Sequence, residues 1–204
     1  MSMHFVTSWD DGDKRDMRIA DLLKERGFDG VFFISNKTNE LTENQIKHLH
    51  NIGFQIGGHT VSHTSDLKDL SHDKIKWEVQ KNKDWLEAII GNDIKSFCYP
   101  EGTYDKRLIN IVRECGFTGA RTTDVLQTDS IRPSNRFEIG TTIHAYPNRS
   151  EYDGRNWLDI AKEKFDEAQK KDGYYHLWGR SWQVEKFDCW QQLKELLNYI
   201  YERR

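Results

Sequence analysis

The sequence predicts an α/β domain: a parallel sheet flanked by helices and closed, or nearly closed, into a barrel. Three observations predict it. Short β-rich runs alternate with helical stretches of roughly ten to twenty residues, which is the pattern of parallel β-α units. About six or seven such units follow one another along the chain. No internal repeat, low-complexity tract or linker interrupts them, so residues 1–204 read as a single domain.

The elements follow in order. His4 to Trp9 is apolar and partly alternating, a buried first strand. Asp16 to Arg26 carries Met17, Ile19, Ala20, Leu22 and Leu23 at helical spacing, and Gly27 ends it. Gly30 to Ser35 is the second strand. Thr42 caps a helix through Asn51, with Glu43 in its first turn. Gly53 to Gly57 is a third strand leading into His59. Ser71 caps a helix that repeats apolar residues at Ile75, Val79, Leu86 and Ile89 and stops at Gly91. Ser96 to Pro100 is a fourth strand, closed by proline. Asp105 caps a helix to Cys115, and Phe117 to Thr122 is a fifth strand. Residues 124 to 150 are the least regular stretch; Glu138 to His144 reads as a strand and the rest as loop. Asn156 to Lys171 is a helix, Gly173 to Trp178 a late strand, and Phe187 to Tyr201 a final amphipathic helix.

Composition excludes several function classes. The net charge of −3 provides neither a nucleic-acid footprint nor a basic membrane patch. No apolar run approaches ~20 residues, so no membrane span is expected. Three scattered cysteines, Cys98, Cys115 and Cys189, do not form a disulfide framework or a zinc-ribbon spacing. The chain enters its first strand with no basic and apolar leader before it, and reads as cytoplasmic. Oligomeric state is not legible.

The chemistry centres on Ser8-Trp9-Asp10-Asp11-Gly12. Two adjacent carboxylates at a strand mouth repel each other, and burial penalises both. A bound cation offsets that cost. His59 and His63 stand four apart in Gly-Gly-His-Thr-Val-Ser-His, and His176 lies in Tyr-Tyr-His-Leu-Trp-Gly. Asp10, Asp11, His59, Tyr99 and His176 all fall at or near predicted strand ends, where barrels of this class carry function. His4, His48, His50, His72 and His144 read as structural or solvated. Two imidazoles and a carboxylate suit zinc first, and also cobalt, nickel, manganese or iron as Co2+, Ni2+, Mn2+ or Fe2+. Such a divalent metal ion makes water a usable nucleophile near neutral pH. A second carboxylate beside it takes the water's proton, and a histidine across the site protonates the leaving amine. The inventory describes metal-assisted hydrolysis of an amide.

These residues resemble the motifs of the polysaccharide deacetylase family, the NodB-homology carbohydrate esterases. Thr-Phe-Asp-Asp-Gly appears as Ser8-Trp9-Asp10-Asp11-Gly12, and His-Ser/Thr-x-x-His as His59-Thr60-Val61-Ser62-His63. Arg-x-Pro-x-Gly becomes Cys98-Tyr99-Pro100-Glu101-Gly102, and the late Leu-x-His becomes Tyr174-Tyr175-His176. The resemblance implies an irregular (β/α) barrel of seven strands, forming one catalytic domain. It implies Asp11, His59 and His63 as metal ligands, Asp10 as general base and His176 as general acid. The Tyr99 backbone N–H would steady the oxyanion together with the metal.

There are departures. Cys98 stands where the family has the arginine that pairs with the base, and Arg121 is a candidate to supply that charge from the next strand. No clean Asp-x-x-Asp-Trp motif orients His176; Asp124, Asp129 and Asp153 are poor substitutes. Tyr99, Pro100, Arg121, Trp178 and Arg180 are expected to face the substrate, with Tyr104 beside them; Trp182 is read as either a cleft ring or core. The expected activity is removal of an acyl group, N-acetyl first, from an acetylated sugar or glycan precursor. Alternatives are hydrolysis of an imide- or ureide-like C–N bond, or a carbohydrate binder that has lost catalysis.

Overall fold

A computed structural model describes residues 3–128 and 135–204. Seven parallel strands form one curled sheet in the order β5-β4-β3-β2-β1-β7-β6. They are β1 (His4–Asp11), β2 (Val31–Ile34), β3 (Gln55–Gly58), β4 (Ser96–Cys98), β5 (Gly119–Arg121), β6 (Ile143–His144) and β7 (Tyr174–Gly179). The helices are α1 (Asp16–Lys24), α2 (Glu43–Asn51), α3 (His72–Ile90), α4 (Lys106–Glu114), α5 (Trp157–Lys170), α6 (Ser181–Lys186) and α7 (Trp190–Tyr201). This is the irregular (β/α)7 barrel that the sequence predicts.

Local chemistry explains the helix limits. Thr42 and Gln45 form a reciprocal capping box on α2, so two otherwise orphaned N–H groups are satisfied. Ser71, Asp105 and Asn156 cap α3, α4 and α5 through side-chain oxygens. Gly91 ends α3 in the left-handed region at φ 72°, where a side chain would be strained. The apolar faces of these helices bury Ile75, Val79, Leu86, Leu108, Val112 and Phe165 against the sheet. At ~25 cal/mol per Å2 of apolar area, such burial supplies most of the fold's stability.

Two expectations change in detail. The strand expected over 138–144 is one extended segment that serves both sheet edges. Ile139 pairs with Arg121 on β5, while Ile143 and His144 pair with β7. Thr122 N donates to Ile139 O at 2.8 Å, and Thr142 N to His176 O at 3.0 Å. This single segment closes the barrel, and each of its pairings is too short to announce itself by alternation. The final helix, expected from Phe187, starts at Trp190 as α7, and an unexpected short helix, α6, precedes it; Asp188, at φ 51°, separates the two. The stretch Ser181–Lys186 is helical although its rings suggested a cleft wall.

Candidate active site

The carboxyl ends of β1 and β3 meet over a cleft of about 480 Å3. Asp11 is the last residue of β1 and has φ 82°; Gly12 follows at φ 77°. This left-handed pair turns the chain abruptly, and Gly12 must be glycine because a Cβ there would lie 2.8 Å from Asn39 Oδ1. His59 follows β3 directly. Thr60 and His63 also take positive φ, and Thr60 Oγ1 accepts the His63 N–H at 3.1 Å, folding both imidazoles toward Asp11.

The geometry is specific. Asp11 Oδ1 lies 3.2 Å from His63 Nε2 and 3.5 Å from His59 Nε2. One ligand-type atom from each residue lies within 4.8 Å of the other two. His59 Nδ1 donates to the Cys98 carbonyl at 2.8 Å, which fixes the tautomer and leaves the Nε2 lone pair aimed at Asp11. Asn82, fully buried on α3, accepts the His59 N–H at 2.8 Å and donates to Ile34 O and Asn36 Oδ1, tying His59 to α3 and β2. Trp182 Nε1 donates to Asp11 Oδ2 at 2.8 Å, and Arg180 Nε lies 3.3 Å from the same oxygen. Ser181 Oγ donates to buried Asp16 at 2.6 Å and holds α6 in this position. Burial pushes the Asp16 carboxyl up, against that hydrogen bond.

The electrostatics ask for a cation. Asp11 Oδ1, His59 Nε2 and His63 Nε2 are buried and have no hydrogen-bond partner. Such orphaned acceptors are costly unless something positive joins them. Burial opposes charge on Asp11, but the His59 and His63 contacts and the Arg180 guanidinium hold it well below the usual carboxylate range. Burial lowers His63, and the Asp11 carboxylate more than reverses that. The donor set fits a divalent metal. A second grouping, Asp10, His59 and Cys98, is also within 4.8 Å. There a guanidinium already fills the role: Arg121 Nη2 bonds both Asp10 oxygens and lies 2.8 Å from Cys98 Sγ. Arg121 thus supplies, from β5, the charge that Cys98 cannot supply from β4.

The structure separates the other expected site residues. His176, expected as general acid, is not among the residues that line the cleft. The sheet register sets it beside Val6, four residues short of Asp10 on β1. At ~3.3 Å per residue that is about 13 Å along the strand. Its ring nitrogens lie 2.8 Å from Ser8 Oγ and 2.6 Å from Tyr174 Oη, and burial, then Arg121 and His4, hold it well below the usual histidine range. The Tyr99 N–H, expected to steady the oxyanion, already donates to Arg121 O at 3.2 Å. Its hydroxyl donates to Phe137 O at 3.0 Å inside the core.

Pro100 is buried at the start of a 3₁₀ turn. Arg121 is 2% exposed and Trp178 1%, and neither is among the residues that line the cleft. Trp178 stacks on His144 at 3.7 Å with the Arg121 guanidinium 4.6 Å from its ring. Of the expected substrate-facing set, Arg180 alone lines the cleft. It bridges Asp11 and Glu101, whose carboxylate is 3.1 Å from Nη2. Asp124 accepts from Thr122 Oγ1, Asp153 caps a 3₁₀ turn, and Asp129 lies outside the described residues.

Sequence reasoning missed Asn82 and Glu101 and left Trp182 undecided. Asn82 had one readable signal: an amide at a position where the α3 periodicity calls for an apolar residue. Glu101 lines the cleft in place of Tyr99, and its φ of 52° follows from the tight turn at Gly102.

Known proteins share this architecture. The chain is 28% identical over 114 residues to an uncharacterized protein of Streptomyces coelicolor, a match that spans 56% of this chain and 45% of the relative. The Bc1960 peptidoglycan N-acetylglucosamine deacetylase superimposes with a TM-score of 0.68 at 19% identity, covering 98% of this chain and 80% of that one. BA3943 of Bacillus anthracis, a CE4 family pseudoenzyme, gives 0.69 at 15% identity, covering 99% and 62%. The Streptococcus pyogenes deacetylase PplD gives 0.60 at 20% identity, covering 66% and 62%. At these identities the superpositions establish the fold. The sequence profile described as "Polysaccharide deacetylase" matches residues 3–120, more than half of the chain, and the protein belongs to the polysaccharide deacetylase family.

Proposed function

We propose that this chain is a metal-dependent hydrolase that removes an acyl group, N-acetyl first, from a carbohydrate. One observation carries the reading: three buried acceptors, Asp11 Oδ1, His59 Nε2 and His63 Nε2, converge without a hydrogen-bond donor among them. Those three residues would hold the metal, zinc first among the divalent ions. When bound, it supplies Lewis acidity to the acyl carbonyl and lowers the pKa of water. Asp10, next along the chain, takes the proton from that water. Arg121 bonds both oxygens of the Asp10 carboxylate and orients it. Trp182 and Arg180 hold Asp11 from the side away from the imidazoles. Glu101 lies in the turn that lines the cleft, and its N–H is the candidate for the oxyanion, since the Tyr99 N–H is engaged by Arg121 O. The three cysteines are unpaired and buried, which fits a reducing compartment and a soluble glycan precursor as substrate. No helix among the described residues is long and apolar enough to cross a membrane.

The test is acetate release from N-acetylglucosamine oligomers and nucleotide-linked acetylated sugars, before and after chelation. The expected result is turnover that disappears with the metal and returns with zinc or cobalt. Turnover that survives complete metal removal would overturn the proposal. A second reading has its own observation: no histidine stands opposite Asp10 to protonate a leaving amine, and Arg180 occupies that side. It holds that the chain binds acylated glycans without hydrolysing them. Glycan binding with no acetate released under any divalent metal would favour it.

A further inference from the structure

A second cavity, about 550 Å3, lies at the other end of the barrel, lined by residues at the amino ends of the strands. Its walls are Val6, Val31, Phe33, Phe97 and Ile139. Toward the strand centres it ends on Ser8, His176, Tyr174 and Arg121. Among the described residues no Asp or Glu lines it.

Counting hydrogens at that inner end is informative. Ser8 Oγ, the His176 ring and Tyr174 Oη form one chain of two hydrogen bonds, at 2.8 and 2.6 Å. His176 is neutral, since burial and the Arg121 charge disfavour its cation. A neutral imidazole with two hydroxyls brings one more donor hydrogen than the chain consumes, whichever tautomer is present. The surplus falls on Ser8 or on Tyr174, and neither hydroxyl has another acceptor. Arg121 adds a second: its Nε–H is buried and unpartnered, while Nη1 and Nη2 are engaged by Thr122 O and Asp10. Two groups that line the inner end of the cavity, the hydroxyl chain and Arg121, therefore each hold a spare donor. Arg136, exposed at the mouth and in no ion pair among the described residues, adds positive potential.

We propose that this cavity is a binding site for a small monocarboxylate with an apolar body, such as a medium-chain fatty acid. The carboxylate accepts from Arg121 Nε–H and from the surplus hydroxyl of the Ser8–His176–Tyr174 chain. The hydrocarbon lies along Val6, Val31, Phe33 and Ile139 toward the mouth. From His4 to Ser8 the shaft spans about 13 Å of strand, room for a chain of roughly eight carbons. The site stands apart from the metal cleft, because the Arg121–Asp10 pair closes the barrel between them. It does not depend on the metal reading. A carboxylate on Arg121 nonetheless shares a partner with Asp10.

Calorimetric titration of the full chain with octanoate tests this, in parallel with uncharged octanol. The expected result is one octanoate per chain, with the same affinity before and after metal chelation. Octanol should bind at least about tenfold more weakly, since it offers one neutral oxygen where the carboxylate offers two that share a charge. Val31→Trp, which fills the shaft, should weaken octanoate about tenfold or more while melting cooperatively like the parent. If Val31→Trp does not fold, Ile139→Trp obstructs the same shaft from the opposite wall. No octanoate binding at about 10 mM would overturn the site and leave water as the partner of these donors. So would binding lost on chelation, octanol binding equal to octanoate, or unaltered affinity in the filled, folded variant.

Discussion

The two ends of this barrel are complementary opposites. At the carboxyl ends of the strands, three buried acceptors face one another and lack a donor. At the amino ends, among the described residues, two buried donors lack an acceptor, and no carboxylate lines the walls. Both ends are built from the inward faces of the same strands. Ser8 and Asp10 are two residues apart on β1, yet one belongs to each end. The difference is made by what lies between them. Arg121 reaches across from β5, satisfies Asp10 on one side and presents Nε–H on the other. A unit of charge placed once in the shaft therefore sets the polarity of both halves. Proximity in sequence says little about which end a residue serves; sheet register decides.

The largest effect should come from Asp10. Replacing it with asparagine keeps the shape and removes the base, so acetate release should fall by about 10²- to 10⁴-fold with metal content unchanged. Loss of the metal together with activity would show instead that Asp10 serves the ion, and would blur the line between the two ends. Next in size is Arg121→Met. It leaves a buried Asp10 carboxylate without its partner, which should cost ~3–5 kcal/mol in denaturant unfolding. Adding Asp10→Asn should recover part of that loss, because the stranded charge is gone. If the two changes simply add, Arg121 is not the element dividing the barrel.

His176 tests the comparison from the other side. His176→Gln should leave turnover within about threefold, against the 10²-fold or more expected of a general acid. Its cost should appear in stability, ~1–3 kcal/mol for a broken buried network. The pH dependence has a defined sign. His176 and His144 are both held well below the usual histidine value of 6.5 in the fold, mainly by burial. The unfolded chain therefore takes up protons that the folded chain refuses, and stability falls as pH drops below about 6.5. In the metal-free protein, His176→Gln should flatten part of that decline. An unchanged slope would mean that His176 is not the group that burial keeps neutral.

How much of this was legible beforehand depends on distance along the chain. The strand and helix alternation exposed the barrel, because each unit carries its own period and caps: Thr42, Ser71 and Asp105 all cap where expected. The convergence of Asp11 with His59 and His63 followed from their places at strand ends. His176 was misplaced by one turn of reasoning: a histidine in a late strand looks the same whether it sits at the mouth or four residues below it. Only pairing with Val6 distinguishes the two. Trp178 lies away from the cleft for a related reason. An aromatic ring near a motif looks like a sugar platform, but the stacking of Trp178 on His144 consumes its face. The Arg121–Asp10 pair spans 111 positions, and no local pattern encodes a contact of that separation. Its clue was chemical: a motif lacking its arginine, and another arginine one strand away.

The rims differ as the interiors do, and here the expected effect is smallest. The metal-side rim is fixed by enclosed contacts such as Trp182 on Asp11. The other rim leans on half-buried Glu167, which accepts from Thr128 Oγ1 at 2.9 Å and from Lys164 and Lys171 at 2.7 Å. Thr128 O in turn accepts the Tyr174 N–H at the start of β7. Those contacts, Lys164 first, pull the Glu167 carboxyl down to about 2. Its contribution is present above the unfolded value of 4.5 and is lost as pH falls through about 2. The side chain is still reached by water, so screening shrinks what the shift suggests. Glu167→Gln should lower the melting temperature slightly at pH 7, and half-molar salt should erase the difference. A larger, salt-resistant loss would mean that Glu167 anchors the amino-end rim as firmly as Trp182 anchors the carboxyl end, and the contrast between the rims would fail.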